Sequence, residues 1–489
     1  MSATEIAVVE ANAVARGIPL DQLMENAGRA VAEEVQKRVP PAPARVAIVA
    51  GPGNNGGDGS AAAFHLAQWG HAVEVWMLLP PTEIRSPWAR RCFERVAGRV
   101  PVHTTPVTAP QLSEFAVVVD AMLGSGQSGP LRAPYREAVA AIRASGIPVL
   151  SIDVPTGLHD PEGLRPRWTI ALTALKEGMS PASCGEITVR EIGIPLEARI
   201  ETGPGDFLYY PSPSRRGRRG RAGRLVIVGG GPYAGAPALA AMAALRSGAE
   251  RATVFAPRPA ADRVQGFSPN LVVRAVGEER FERRDVRAIR NALYAAPPKA
   301  VLIGMGAGRA PETVEALGEL IEALVGTVPL VVDADGLDAL PTEIERRGGY
   351  DLVATPNPGE FIRVFGGVPD GPPEQQLESV RGIAAHRGLT LLVKGAPDLI
   401  SDGRLAAVNT HHALPMTVSG VGDVLAGAVG ALMADGVPPF GACRLASYLV
   451  GDAGIRAAEH RGFGLVATDI IDEIPAALVE GLRRVHPTG

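Results

Sequence analysis

The run Ser419-Gly420-Val421-Gly422-Asp423-Val424-Leu425-Ala426-Gly427 carries a glycine turn straight into a helical pattern. Gly420 and Gly422 permit positive φ and let a ligand lie against bare backbone. Free N–H groups at a helix start attract anions, and the helix dipole adds to the attraction. Asp423 sets a carboxylate where an anion should bind. An acid belongs there if it takes a proton from a hydroxyl while the N–H groups hold the phosphoryl group under attack. Taken alone, such a motif reads first as a helix N-cap, a position that Asp favours. The rest of the chain alters that balance.

Chemistry-bearing groups recur at the ends of apolar runs in the second half. Leu225–Val228 enters Gly229-Gly230-Gly231, and Gly235-Ala236-Pro237 then opens an alanine-rich helix. Ala252–Phe255 is a further strand. Ala300–Ile303 ends in Gly304-Met305-Gly306-Ala307-Gly308, and Leu330–Val332 in Asp333-Ala334-Asp335-Gly336. Leu352–Ala354 ends in Thr355-Pro356-Asn357-Pro358-Gly359-Glu360, and Leu391–Val393 in Lys394-Gly395. Backbone donors, carboxylates and one lysine thus gather along one sheet edge, the set that Mg²⁺ and nucleotide phosphates need. A Walker A motif is absent, which excludes a P-loop enzyme. His411 and His412 read as ordinary loop residues, since no third ligand stands at zinc spacing.

The first half has its own candidate loop. The strand Arg45–Ala50 runs into Gly51-Pro52-Gly53-Asn54-Asn55-Gly56-Gly57-Asp58-Gly59, and helix is expected again from Ser60 to Trp69. The spacing satisfies G-x-G-x-x-G, but Pro52 stiffens the turn and Asn54, Asn55 and Asp58 crowd it with polar side chains. Glu74, the nearest candidate ribose acid, falls inside an apolar strand. A turn so rich in Asn and Asp suits recognition of a ligand or cation through oxygens. Further strands end at Asp120, before the loop Gly124 to Pro130, and at Asp153, before Pro155-Thr156-Gly157. Strands alternating with helices imply a parallel sheet with helices on both faces, whose ligand crevice lies outside the carboxyl ends of the strands. Asn55, Asp120, Asp153 and Thr156 all stand at such ends.

The elements that position these groups belong to more than one core. A chain of 489 residues implies two or three domains. The apolar content of 46% and charged content of 20% are those of a globular protein. A net charge of −4 gives no case for nucleic acid. Cys92, Cys184 and Cys443 are too scattered for a disulfide frame or a thiolate zinc site, which fits a reducing compartment. Secretory and membrane-spanning patterns are lacking, so a soluble cytoplasmic protein without a membrane partner is expected. Helices are expected between Ile6 and Val39, broken at Gly17-Ile18-Pro19, with Leu23, Ala27 and Val31 on one face. The Pro-, Ser- and Arg-rich run from 212 to 223 reads as a linker between domains at 1–211 and 224–489.

These motifs resemble known families. Met24-Glu25-Asn26-Ala27-Gly28, Asn54 to Gly59, Asp120, Asp153-Val154-Pro155-Thr156-Gly157-Leu158, Ala174-Leu175-Lys176-Glu177-Gly178 and Glu191-Ile192-Gly193-Ile194-Pro195 look like NAD(P)H-hydrate epimerase. That family implies a Rossmann-like three-layer α/β domain that interconverts the R and S epimers of hydrated NAD(P)H. By resemblance Asn54, Asn55, Gly56, Gly57 and Asp58, with Gly124, Ser125, Gly126, Gln127, Ser128, Gly129 and Pro130, line the dinucleotide. Asp153 contacts the substrate and transfers a proton, and Asn55, Asp120 and Thr156 supply oxygens to K⁺. From Asp333 to Leu340, Thr355 to Phe361, Lys394-Gly395 and Met416 to Gly427, the second half resembles the ribokinase-like, ADP-dependent NAD(P)H-hydrate dehydratases. The likeness assigns Ala236, Gly308, Asn357 and Asp423 to the hydrated dinucleotide. It assigns Lys394, Gly395, Ala396, Pro397, Asp398 and Gly422 to the nucleotide, with Mg²⁺ and with ADP as co-substrate.

The reaction so implied is epimerisation in the first domain and dehydration of the S hydrate in the second. Asp423 would deprotonate the hydroxyl, whose oxygen attacks the terminal phosphoryl group of ADP. Phosphate would then leave, giving NAD(P)H and AMP. A homo-oligomer is expected. The competing readings are a ribokinase-like small-molecule kinase for a sugar or hydroxymethylpyrimidine, a first domain that only binds nucleotides or a partner protein, and a Rossmann dehydrogenase.

Overall fold

The computed structural model describes residues 1–127, 129–211, 223–342, 351–367 and 372–486. They form two compact units, Met1–Leu196 and Glu197–Gly489.

The first unit is built on seven parallel strands, β1 (Arg45–Ala50), β2 (Ala72–Met77), β3 (Val102–His103), β4 (Val117–Ala121), β5 (Val149–Ile152), β6 (Trp168–Leu172) and β7 (Glu186–Arg190), in the order β3-β2-β1-β4-β5-β6-β7. β1 and β4 have almost no exposed side chain, as expected of strands covered on both faces. Helices Ala3–Ala15 and Leu20–Gln36 match the expected pair, and Leu23, Ala27 and Val31 are buried together. The asparagine–glycine loop departs from expectation. Helix begins at Asn54, not at Ser60, and runs to Gln68. Its glycines serve close packing. A Cβ at Gly56 would lie 1.9 Å from the Gly51 oxygen, and one at Gly59 2.5 Å from the Ala121 Cβ. A glycine run reads as a loop in sequence, but here absent side chains let a helix press onto the sheet.

The second unit carries nine strands, β8 (Arg224–Val228), β9 (Arg251–Ala256), β10 (Val272–Ala275), β11 (Ala300–Ile303), β12 (Leu330–Val332), β13 (Leu352–Ala354), β14 (Thr390–Val393), β15 (Asp398–Ser401) and β16 (Ala406–Asn409). Their order is β10-β9-β8-β11-β12-β13-β14-β15-β16, parallel up to β14 and antiparallel beyond. The six strands expected from sequence are all present. β10, β15 and β16 were not expected, because four-residue segments that include a polar residue give no clear periodicity. The helix Val421–Ala434 is buried on every side from Val424 onward, which marks a central helix. A Cβ at Gly427 would lie 2.2 Å from the Ala240 oxygen, so glycine is needed where this helix crosses the alanine-rich helix Gly235–Arg246.

The segment from Glu197 onward packs with the second unit, although the sequence reading ended the first domain at 211. Thr202 N–H donates to the Val408 oxygen at 2.9 Å, extending the β16 edge. Asp206 is fully buried and receives Arg444 Nε at 2.5 Å, and that arginine stands on the helix Pro439–Arg461. The run read as a linker, apart from Gly223, lies outside the described residues. Removing one partner of such a pair leaves an uncompensated buried charge. Arg444→Met is therefore expected to destabilise the second unit by roughly 3–5 kcal/mol, read as a lower urea midpoint. An unchanged midpoint would show the pair to be dispensable.

Candidate active sites

In the second unit a cavity of about 750 Å³ opens at the carboxyl ends of the parallel strands. Asp333 follows β12, Asn357 and Glu360 follow β13, Lys394 follows β14, and Gly422 and Asp423 come from the first turn of the helix Val421–Ala434. Gly420 is the N-cap of that helix at φ +92°, a conformation suited to glycine, and no side chain caps it. Asp423 is thus the third helical residue and not the cap. The first N–H groups have no side-chain cap, and Gly420 to Asp423 line the cavity, as an anion site requires.

Charge in this corner is tightly balanced. Lys394 Nζ donates to Asp333 Oδ1 at 2.6 Å, with Asp333 almost fully buried. Burial works against the ammonium, but Asp333 and Glu360 outweigh it and hold the lysine above its usual range. A Cβ at Gly422 would stand 3.1 Å from Lys394 Nζ, so the lysine lies against the first helical turn. Asp423 is pushed up to about 7, first by burial and then by Asp333, while Lys394 pulls the other way. Glu360 is also raised by burial. Its Oε2 accepts from the Asn357 N–H at 2.8 Å, and Asn357 Oδ1 accepts from the Glu360 N–H at 2.9 Å. Asn357 therefore caps the helix Pro358–Phe365 with its side-chain oxygen.

Of the nucleotide residues expected, Lys394, Gly395, Ala396, Asp398 and Gly422 line this cavity, together with Asn357 and Asp423 from the dinucleotide set. Pro397 does not line it. Ala236 stands in the first turn of its helix, and Gly308, at φ +83°, donates its N–H to Asp335 Oδ2 at 2.8 Å. Neither of these two lines the cavity.

In the first unit the groups expected at strand ends do meet. Asp153 sits after β5 at φ +67°, a strained conformation for a side chain of this kind. It forms an ion pair with Lys176, which is itself buried and also donates to the Leu172 oxygen. Asp153 Oδ2 accepts from the Ser125 N–H at 3.3 Å. A Cβ at Gly124 would lie 3.5 Å from the Asn55 Cβ and 3.7 Å from Asp153 Oδ2. The second glycine loop is therefore pressed against both. Gln127 braces it, donating to the Pro155 oxygen at 3.0 Å and accepting from the Gly157 N–H at 2.7 Å. Gly126, Gly129 and Pro130 are exposed, and Ser128 lies outside the described residues. Asn54 is exposed, while Gly56 and Gly57 are buried in helix packing, Gly57 against Ala89 and Met24. Burial, Asp153 and Glu10 raise Asp58 well above the carboxylate range. Burial and Asp153 push Glu10 up to about 7.

The residues expected around K⁺ differ in what they have to spare. Asn55 is buried, and neither its Oδ1 nor its Nδ2 has a hydrogen-bond partner. Asp120 is fully buried and accepts from Ser151 Oγ, Thr156 N–H, Thr156 Oγ1 and Met122 N–H, at 2.7 to 3.3 Å. Those four bonds occupy a carboxylate's acceptor positions. Thr156 Oγ1 also accepts from the Leu123 N–H at 3.1 Å. The vacant carbonyl of Asn55 fits a monovalent cation, which carbonyl oxygens can hold in place of water. Asp120 joins it only by giving up a present partner. Among the described residues, no three His, Cys, Asp or Glu side chains are placed to hold a metal between them.

Sequence reading assigned no role to Glu10, Lys176, Asn409 or Ser447, placed Asp333 and Glu360 among the sheet-edge carboxylates without separating their roles, and set His412 aside as loop. The signal for Ser447 is a polar residue inside an otherwise apolar stretch, while Lys176, followed directly by Glu177, reads as an exposed charged pair. Glu10 gives none, because one acid on an amphipathic helix reads as a solvated face.

Two family models match the chain. One, described as the N-terminus of YjeF-related proteins, covers residues 20–178, and the other, described as NAD(P)H-hydrate dehydratase, covers 224–476. The bifunctional NAD(P)H-hydrate repair enzyme of Hyperthermus butylicus is 37% identical over 99% of this chain and 94% of its own length. Its counterpart from Archaeoglobus fulgidus is 37% identical over 98% of each chain. Among solved structures, an ADP/ATP-dependent NAD(P)H-hydrate dehydratase from Bacillus subtilis, co-crystallised with ATP and Mg²⁺, shares the fold. Its TM-score is 0.50 at 22% identity, over 58% of this chain and 99% of that one.

The raised Asp423 has a consequence for stability. Between the ordinary aspartate range and about 7, the folded chain keeps a proton that the unfolded chain has lost. Stability from this group therefore falls as pH rises through that window and is level above it. Asp423→Asn escapes the penalty. The variant is expected to match the parent at about pH 4 and to exceed it by on the order of a few kcal/mol above about pH 7. Denaturant titrations across pH measure the difference, and a pH-independent difference would contradict the assignment.

Proposed function

The chain belongs to the bifunctional NAD(P)H-hydrate repair enzymes, and from that premise we propose that its own two sites divide the work. The first, Rossmann-like unit epimerises hydrated NAD(P)H. The second, ribokinase-like unit dehydrates the S form at the expense of ADP, yielding NAD(P)H, AMP and phosphate. The observation that carries the second assignment is Asp423, placed in a helix's first turn beside Lys394 with its carboxyl raised to about 7.

In the second unit Asp423 accepts the proton of the hydrate hydroxyl, and its raised pKa suits a base working near neutrality. The oxygen so freed attacks the terminal phosphoryl group of ADP. The N–H groups at the head of the helix and the Lys394 ammonium hold the charge that spreads over that group. Asp333 keeps the ammonium in place and protonated. The ring nitrogen then expels phosphate, a far better leaving group than hydroxide, and the iminium so formed loses a proton from the neighbouring ring carbon to restore NAD(P)H. Mg²⁺, when bound, neutralises phosphate charge, and Glu360 with its neighbouring carboxylates would hold it. A Mg²⁺ ion bound largely through water and nucleotide needs only one or two such groups.

In the first unit Asp153 takes and returns the hydroxyl proton while a bond at the hydrated carbon breaks and re-forms on the opposite face, and Lys176 holds its carboxylate toward Ser125. Asn55 is the residue with a vacant oxygen for K⁺. The epimerase assignment rests on the pairing of a strained, lysine-bound Asp153 with the unsatisfied Asn55.

Purified protein given mixed hydrate epimers and ADP should restore the absorbance of NAD(P)H. Asp423→Asn should slow that recovery by about 10²–10⁴-fold while ADP still binds. Full activity in the variant would remove Asp423 from the chemistry. Asp153→Asn should abolish exchange between R and S hydrates, followed by chromatography without nucleotide. Exchange at the parent rate would reduce the first unit to a binding module.

A further inference from the structure

The cavity of the second unit has a wall that the phosphoryl chemistry leaves unused. It is made by the loop after β16 and by the helix Pro439–Arg461. The loop is anchored to the helix at several points. His411 stacks on Tyr448 with ring centroids 4.4 Å apart, and its Nε2 lies 3.2 Å from Asp452 Oδ1. A Cβ at Gly451 would fall 1.8 Å from the His411 oxygen, so loop and helix touch backbone to backbone there. With its neighbour committed in this way, His412 is held facing the cavity. Its Nδ1 is buried without a hydrogen-bond partner.

Ser447 lines the same cavity. It is only 2% exposed, and its Oγ has no partner either. A serine inside a helix ordinarily turns its hydroxyl back to a carbonyl one turn earlier. Two buried polar atoms left unpaired on one wall cost stability unless a ligand satisfies them.

The surroundings state what that ligand is. Of the described residues lining the cavity, Lys394 is the one lysine or arginine, and it belongs to the Asp423 corner. The wall carries instead the buried Asp398, whose oxygens accept from the Gly395 N–H and from Asn409 Nδ2, each at 2.9 Å. Asp398 lies within electrostatic reach of His412. A carboxyl there disfavours phosphate. Met416 and Val450 line the cavity with these polar groups. Apolar side chains with a few fixed hydrogen-bonding atoms fit a flat heterocycle with polar edges.

We propose that His412 and Ser447 read the base of the phosphoryl-donor nucleotide, so that they set which nucleoside diphosphate this unit accepts. The inference rests on the nucleotide use proposed above and adds to it two residues that determine specificity.

Titration calorimetry on the full chain tests it, with ADP, GDP and inorganic tripolyphosphate as ligands and Ser447→Ala and His412→Phe as variants. Ser447→Ala removes one hydroxyl and His412→Phe both ring nitrogens, and each keeps a side chain of similar shape. Each is expected to weaken ADP by about 5–10-fold, to narrow the preference for ADP over GDP, and to leave tripolyphosphate unchanged. Because the Ser447 hydroxyl has no partner in the protein, Ser447→Ala should not lower the ligand-free unfolding temperature. Unchanged ADP affinity, equal losses for ADP and GDP, or equal losses for ADP and tripolyphosphate would each overturn the proposal while leaving nucleotide use intact. Failure of the parent protein to bind ADP would overturn nucleotide use itself, and this proposal with it.

Discussion

A single buried ammonium governs the second site. Lys394 is shared by Asp333, which it contacts directly, and by Asp423 and Glu360, which feel its field. One cation faces three carboxyl groups, and burial with the neighbouring acids raises two of them, Asp423 and Glu360. Asp333 has the direct contact with the lysine. Asp423 is pushed up to about 7. The glycine turn then has a clear purpose. Gly420 supplies the backbone conformation, and Gly422 leaves room for the ammonium against the helix's first turn. The proposed anion site and base would thus come from one short segment.

The first unit meets the same problem with different parts. Lys176 is its buried cation, Asp153 its direct partner, and Glu10 and Asp58 are the acids left short of compensation. Asp153 pays for its place with a left-handed backbone, which it keeps because its N–H donates to the Ile170 oxygen of β6 and its carboxylate is held by Lys176 and Ser125. In both units the acid nominated for chemistry follows or faces the carboxyl ends of parallel strands. There, loops converge and backbone N–H groups are free.

Much of this was legible in the sequence, and the failures are specific. Apolar runs ending in Asp, Asn, Lys or Gly located the sheet edge in both units, because buried parallel strands must be apolar and their ends need not be. The turn at Gly420 was read correctly as the start of a helix. The turn at Asn54 was not, because glycines that serve packing and glycines that serve a turn look alike until the partner surface is known. Gly51, Gly56 and Gly59 are needed by neighbours that lie far away in the chain or across a turn. Ser447 and His412 escaped for a related reason. Their interest lies in hydrogen bonds that they do not make, and only a folded structure shows a missing bond. The raised Asp423 was equally hidden, since it depends on burial and on which carboxyl contacts the lysine.

The most direct test of the account is the dependence of kcat/KM for dehydration on pH, which reports the ionisation of the free enzyme. If Asp423 is the base and keeps its proton as described, the rate should rise with pH and level off with a midpoint near the value of about 7 that its surroundings impose. A midpoint at the ordinary aspartate value of about 4 would mean that Asp423 is already ionised well below neutrality. The charge balance around Lys394 would then have been read wrongly.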